Sequence, residues 1–479
     1  MNVLHKEFDS RPLLFVDLDG TLAHTDTLWE SVFALLKRSP FTIFVAPLWI
    51  IRGKAAFKSE ISQRITPDIE SLPYSAAIIE YSVSARQAGA TVILATAAHR
   101  RIAEKVAEHI GIFAEVLATD GKTNLKSTSK AEAVIRRAGN IPFDYIGNAS
   151  PDIAVWTAAG RAIVANPGKA LERDIMQRFD AFILKDKGRR SIKSAVFKEI
   201  RPHQWTKNLL IFLPALLAHR FDTNILQLSF TAFLAFCFCA SGVYVLNDLL
   251  DVTSDRTHPT KKRRPFAAGD LPLWSGALLF PLLFIGSAAL SLLLPADFQT
   301  ILALYAVITT TYSFYLKRLP VLDALTLAAL YSMRLYAGAA ATSVKISRWL
   351  AVFSIFVFVS LAFVKRYVEL PKNVSRTGEV QGRGYRADDA AIIASFGVAG
   401  GYTSVLVIGL YCYSDEITTL YSSPEVLLIV GALHLFWISR IWLLAHRGEI
   451  DDDPITFTLR DTVSYIIGIL AILVVLFAL

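Results

Sequence analysis

Residues 207 to 479 form a succession of long apolar runs, and no other feature limits the fold of this chain so severely. Nine can be marked, at approximately 207–222, 226–247, 273–294, 298–316, 321–342, 348–366, 390–412, 425–446 and 461–479, each near the length that crosses a bilayer. The loops after the second, fourth, sixth and eighth runs hold most of the basic residues: Arg256 to Arg264, Lys317 and Arg318, Lys365 to Arg386, and Arg440 to Arg460. The opposite loops have few, chiefly Arg220, Lys345 and Arg348. Cationic loops are retained on the cytoplasmic side of a bilayer. The pattern predicts a multi-pass protein of the cytoplasmic (inner) membrane, all-α in this part, with its N-terminal part in the cytosol and its C-terminus outside.

Composition supports a division between two solvents. Apolar residues make up 53% of the chain, above the roughly 45–50% usual for soluble proteins, yet residues 1 to 200 mix apolar and charged side chains in ordinary proportion. We place a cytosolic domain at 1–185 and a membrane domain at 186–479. The net charge of +8 falls largely in the short loops between apolar runs, so it reflects membrane orientation and not a nucleic-acid surface. Cys237, Cys239 and Cys412 all sit in apolar segments without metal-type or disulfide-type spacing. The opening "MNVLHKEFDSRP" has no apolar stretch or cleavage site of a signal peptide, which keeps the first domain in the cytosol.

Within that first domain, "LLFVDL" (13–18), "TVILAT" (91–96), "FDYIGN" (143–148) and "RAIVAN" (161–166) are short apolar runs that end at polar or small residues. They alternate with helical stretches such as "SKAEAVIRRAG". That order predicts a doubly wound α/β sheet whose site lies at the carboxyl ends of its strands. About seventy residues of helical periodicity separate the first two strands. They include "FTIFVAPLWII", a run too short to cross a bilayer and interrupted by Pro47, which points to a helical cap or an interfacial contact.

The chemistry of the membrane part is concentrated in "NDLLDVTSDRTHPTKKRRP" (247–265). If these residues continue the second membrane helix, Asn247, Asp251 and Asp255 recur every four residues and Asp248 precedes Asp251 by three, forming one stripe. A carboxylate at a membrane helix centre costs about 2.5–3.5 kcal/mol on insertion scales, so several on one face call for a shared cation or a water-filled cavity. An oxygen-only set favours Mg²⁺, which binds a few carboxylates together with substrate phosphates. The competing reading is a solvated loop just beyond the membrane; helical spacing and the following "KKRRP" favour a site.

These residues resemble the UbiA-type membrane prenyltransferase superfamily, whose members carry an Asn-Asp-x-x-Asp-x-x-x-Asp motif on the second of nine helices. The likeness covers roughly residues 196–479. Its wider pattern is similar to the decaprenyl-phosphate 5-phosphoribosyltransferase branch, on "RPHQWTKNLLIFLP" (201–214), "DRTHPTKKRRPFAAG" (255–269), "YSFYLKRLPVLD" (312–323), "KRYVEL" (365–370) and "DDDPITFTLRD" (451–461). The resemblance implies transfer of 5-phosphoribose from phosphoribosyl pyrophosphate to a polyprenyl phosphate, on the way to a lipid-linked pentose donor for cell-wall synthesis. Mg²⁺ held by Asp248, Asp251 and Asp255, with Asn247, would stabilise the departing diphosphate. Arg256, Lys262 and Arg264 would hold phosphate oxygens, and Arg201, Lys207 and Asn208 would lie near the lipid phosphate. Lys365, Arg366, Glu369 and Tyr385, with Arg376 and Arg383, would close over the donor, Glu369 accepting from a ribose hydroxyl, and Asp323 would also contact substrate. Many superfamily members carry a second acidic pair; here Asp323 is followed four residues later by Leu327, which weakens the case for a second metal. The alternative is prenylation of an aromatic acceptor from a polyprenyl diphosphate.

"FVDLDGTL" (15–22) puts Asp17 and Asp19 at the end of a strand, where one carboxylate can attack phosphorus while the other acts as acid and base. Residues 11–180 resemble haloacid dehalogenase-like (HAD-like) phosphatases. The resemblance implies Asp17 as nucleophile and Asp19 as acid/base, both beside Mg²⁺, with Thr96 as phosphate ligand, Lys130 as the cation (Lys122 and Lys126 being its rivals) and Asp152 as metal ligand. Where that family has Gly-Asp, this chain has Gly147-Asn148, which lowers the negative charge near the metal. The expectation is a phosphatase that removes the 5-phosphate from the lipid-linked product; the alternative is a non-catalytic scaffold. Oligomeric state is not legible.

Overall fold

The computed structural model describes residues 12–120, 125, 127–186, 188–370, 384–415, 417, 421–450 and 453–479. The chain parts into two compact units, one of residues 1–200 with 244–280 and the other of 201–243 with 281–479.

The first unit is built on six parallel strands, β1 (Leu13–Val16), β2 (Thr91–His99), β3 (Glu115–Thr119), β4 (Phe143–Gly147), β5 (Arg161–Ala165) and β6 (Ala181–Leu184). Their order is β3-β2-β1-β4-β5-β6, so the winding reverses between β1 and β4. Val16 pairs with Leu94 on one side and Ile146 on the other. Alternation of side chains sends Leu14, Val16, Leu94 and Ile146 into the core on one face and Leu13, Phe15, Ile93 and Tyr145 into that on the other. Four strands agree with the expected positions. The edge strands β3 and β6 were not expected: Glu115 opens β3, and β6 is an apolar run of only four residues.

Helices α1 (Thr27–Arg38), α2 (Thr42–Ile51) and α3 (Lys54–Arg64) form the cap after β1. Asp26 opens α1 by accepting from the amides of Leu28 and Trp29. Leu35, Trp49 and Ile61 close a small core among the three helices. The sheet is covered by α4 (Ala76–Gln87), α5 (Arg100–Ile110), α6 (Thr128–Ala138), α7 (Ile153–Trp156) and α8 (Lys169–Arg178), and α9 (Ile192–Glu199) follows β6. Residues 244–280 belong here because they are clamped to the same body. Arg190 bonds Asp270 at 2.7 Å, Arg189 bonds the Gly269 carbonyl at 3.0 Å, and the buried Glu30 of α1 takes the guanidinium of Arg256.

Of the nine membrane segments expected, five helices among the described residues are long and apolar enough to cross: Thr223–Leu250, Leu273–Ser291, Arg348–Glu369, Ala387–Tyr411 and Pro424–His446. The first expected segment is instead a 3₁₀ stretch, Pro202–Phe212, followed by the five-residue α10 (Leu213–Leu217). The long elements after it are α11 (Thr223–Leu250), then α13 (Leu273–Ser291) beyond the short α12 (Val252–Thr257), α14 (Ala296–Phe314), α15 (Leu322–Thr342), α16 (Arg348–Glu369), α17 (Ala390–Tyr411) and α18 (Leu428–His446), with the short α19 (Pro454–Thr458) before α20 (Thr462–Ala478). Polar side chains such as Thr309 to Thr311 and Arg334 dilute α14 and α15, and α20 has only 17 residues. The core of the second unit lies among α15 to α18. Gly397 permits it: a Cβ there would strike the Trp442 ring.

Candidate functional sites

The first site forms where β1 and β4 end, beside the reversal of the sheet, the place where open α/β sheets bind ligands. The Asp17 amide bonds the Ile146 carbonyl at 2.9 Å, and its carboxylate accepts from Lys130 Nζ at 2.8 Å and Thr21 Oγ1 at 3.2 Å. The same ammonium reaches Asp152 at 3.1 Å and the Tyr145 hydroxyl at 2.9 Å. Asp17, Lys130, Asp152 and Tyr145 are buried together. Burial alone would lower the Lys130 ammonium, but Asp17 and Asp152 hold it above the usual lysine range. It therefore stays a cation. Asp152 also accepts from the amides of Asn148 and Ala149, at 3.0 and 3.2 Å.

Asp19 accepts from the Thr27 amide at 2.8 Å, which ties it to the start of α1. Burial pushes its carboxyl up to about 7, with the Asp26 charge adding and the Thr27 amide opposing. A carboxyl near 7 can hold or release a proton at neutral pH. Thr96 is fully buried and lies in β2, two residues beyond the Leu94 that pairs with Val16; its hydroxyl accepts from the Ala98 amide. Lys122 and Lys126 lie outside the described residues. Asn148 presses against Gly20, whose φ of +75° suits glycine. Sequence reasoning missed Tyr145, which donates to Asp152 at 2.8 Å. The signal was Gly147: a Cβ there would come within 2.7 Å of both Tyr145 and the Asp152 carboxylate.

The second site is the aspartate-rich segment of the same unit. The expected single stripe is broken: α11 stops at Leu250, Asp251 has φ −99° and ψ 8°, and α12 resumes at Val252. Asp248 and Asp255 are buried and share the Arg264 guanidinium, whose NH1 nitrogen lies 2.8 Å from one and 2.7 Å from the other. Asp251 instead meets Lys37 of α1 at 2.8 Å. Burial raises the Asp255 carboxyl, Arg264 pulls it back, and the Asp248 charge adds to the rise. Asn247 is half-buried and Lys262 exposed. Arg256 is taken up within the protein, donating to both oxygens of Glu30 and to the Ala267 carbonyl.

Among the described residues no three acidic, His or Cys side chains converge as a metal cluster. The set still fits Mg²⁺, because one guanidinium nitrogen reaches both Asp248 and Asp255, and two carboxylates completed by substrate phosphates are what that ion commonly takes.

In the second unit, Lys207 lies 2.5 Å and Lys365 3.5 Å from the Asp453 carboxylate, and Tyr331 also points at it, at 3.5 Å. Burial would raise Asp453, but Lys365 and Lys207 hold it below the ordinary carboxylate range. Two ammonium groups against one carboxylate leave a cationic excess suited to a phosphate. Asn208 accepts from the buried Arg334 at 2.8 Å, a residue that sequence reasoning passed over inside an apolar run. Arg201 adopts a left-handed conformation, φ 52°, at the start of the 3₁₀ stretch.

Asp323, Arg366, Glu369 and Tyr385 come together. The fully buried Arg366 is ion-paired with Asp323 and Glu369, at 2.5 Å each, and the Tyr385 hydroxyl donates to Asp323 at 2.5 Å. Arg376 and Arg383 lie outside the described residues. Tyr385→Phe removes a hydrogen bond to a buried carboxylate, worth about 1.5–3 kcal/mol. Thermal unfolding in detergent should show a loss of that size while KM stays unchanged. A KM increase with no loss of stability would instead make Tyr385 a substrate ligand.

A parallel, doubly wound α/β domain with a buried Asp–Lys–Asp cluster, followed by a helical membrane body with an aspartate-rich turn, defines a membrane transferase carrying a HAD-like domain. Residues 14–156 match haloacid dehalogenase-like hydrolases and residues 208–465 match the UbiA prenyltransferase family. The chain belongs to the UbiA family and is an integral membrane protein. It is 34% identical over 469 residues to protein y4nM of Sinorhizobium fredii, covering 97% of this chain and 90% of that one. It is 34% identical over 271 residues to nodulation protein NoeC of Azorhizobium caulinodans, covering 56% of this chain and 87% of that one. Its identity to decaprenyl-phosphate phosphoribosyltransferase of Mycolicibacterium smegmatis is 32% over 232 residues, 47% of this chain and 73% of that one.

Proposed function

We propose that this protein transfers 5-phosphoribose from phosphoribosyl pyrophosphate to a polyprenyl phosphate, and that its HAD-like domain then removes the 5-phosphate from the lipid-linked product. The bond from ribose C1 to the diphosphate breaks, a lipid phosphate oxygen bonds to C1, and diphosphate departs. The observation that carries the reading is Arg264 bridging Asp248 and Asp255 directly after a membrane span. Bound there, Mg²⁺ would supply positive charge against the developing diphosphate. Arg264 adds a guanidinium that can turn from the carboxylates to phosphate oxygens, and the Lys207–Lys365 pair suits a phosphate. The similarity to the M. smegmatis enzyme supports the choice of substrates. The basic loops and the HAD-like domain lie on the cytosolic side of the inner membrane in this reading.

In the HAD-like domain Asp17 attacks the phosphorus of the 5-phosphate while Lys130 balances its charge and Asp19 gives a proton to the departing sugar oxygen; Asp19 then takes a proton from a water that attacks the phosphoaspartate, which releases inorganic phosphate and restores Asp17. Mg²⁺ fits beside Asp17 and Asp152, which already share one cation.

Purified protein should be given labelled phosphoribosyl pyrophosphate with a polyprenyl phosphate, and in parallel a polyprenyl diphosphate with an aromatic acid. A new labelled lipid should form from the first pair alone. Product from the second pair alone would overturn the reading and leave aromatic prenylation.

A further inference from the structure

We propose that α2 is an interfacial membrane helix, which seats the HAD-like domain on the lipid surface in addition to the membrane spans. Phe41, Val45, Leu48 and Ile51 are 78%, 43%, 59% and 81% exposed. At 3.6 residues per turn they fall within an arc of about 120°. Large apolar side chains gathered in this way mark an interaction surface, unlike single exposed ones. The side of the helix adjoining this arc is already used: Trp49, about 40° beyond Val45, is buried with Leu35 and Ile61, Ala46 packs against the same core, and the Arg64 guanidinium covers the Trp49 ring at 4.4 Å.

The position of the helix identifies the occupant. Lys37, at the end of α1, is paired at 2.8 Å with Asp251, the residue that follows the membrane-crossing helix Thr223–Leu250. Phe41 is four residues further on, and four residues of extended chain span at most about 14 Å. The corner between α1 and α2 is therefore tethered to the point where a span leaves the bilayer. The exposed Arg38 and Arg52 flank the apolar face, as suits anionic headgroups. Ten residues of helix are about 15 Å long, half of a hydrocarbon core, so α2 lies in the interface and does not cross.

The test uses the full chain in lipid nanodiscs containing phosphatidylglycerol. Cys237, Cys239 and Cys412 are buried, so a thiol-reactive fluorophore can be directed to Leu48→Cys, to Ile51→Cys, or to Glu108→Cys as an exposed reference. Both α2 labels should be quenched by doxyl-labelled lipid several-fold more than the Glu108 label, and be shielded from aqueous iodide. Iodide access equal to that at Glu108 would overturn the proposal. So would shielding from both quenchers, which would show the face covered by a second copy or by the protein itself.

Discussion

Asp248→Asn should reduce lipid phosphoribosylation by about 10²–10³-fold, the loss that follows removal of one fixed electrostatic group from a transition state. Asp255→Asn should match it, and Asp251→Asn should cost far less. The ranking follows from geometry. Asp248 and Asp255 are buried and share one guanidinium nitrogen, so a cation between them meets two carboxylates at once. Asp251 lies at the break between α11 and α12, half-exposed, and faces Lys37. In the neutral variant Arg264 keeps Asp255, so the turn retains one of its two ion pairs and the fold survives. Initial rates at saturating donor, across a Mg²⁺ titration, separate the effects: Asp248→Asn should demand more metal and still fall short at saturation. Equal losses for all three variants would mean that the continuous stripe, and not the pair, holds the diphosphate.

That difference marks how far the sequence could be read. Spacing by three and four placed four polar residues on one helical face, and period alone cannot reveal a helix that ends at Leu250 and restarts at Val252. At the break Asp251 pairs with Lys37, more than two hundred residues away in sequence, a partner that spacing cannot foretell. The same holds for Arg256: its place in "DRTHPTKKRRP" suggests a phosphate clamp, whereas the buried Glu30 takes its guanidinium. Local periodicity was sufficient for the four inner strands and for the existence of the membrane helices, since those depend on continuous apolar burial. It failed at the first membrane segment, where a 3₁₀ stretch runs through "PHQWTKNLLIF". Tyr145 and Arg334 were missed for a shared reason: inside an apolar run a single polar side chain looks incidental until its partners arrive from other elements.

Asp17→Asn should abolish release of phosphate from the lipid-linked product, by on the order of 10⁴-fold or more as for other enzymes that lose their nucleophile, while the phosphoribosyl lipid continues to form. The amide cannot attack phosphorus, yet the pocket should persist, because Lys130 keeps Asp152 at 3.1 Å and Tyr145 at 2.9 Å. The phosphorylated lipid should therefore accumulate where the unmodified protein yields the dephosphorylated one, as chromatography of the labelled lipid would show. In the proposed sequence tethering gives this step its advantage: a phosphatase held on the same chain as the transferase would meet its substrate at an effective concentration that free diffusion does not reach. Adding unmodified protein to the Asp17→Asn variant should then restore dephosphorylation only slowly. If the unmodified protein itself leaves the phosphate in place while transfer proceeds, Asn148 has cost the domain its turnover, and the Asp17–Lys130–Asp152 cluster serves to hold the ends of β1 and β4 against α6.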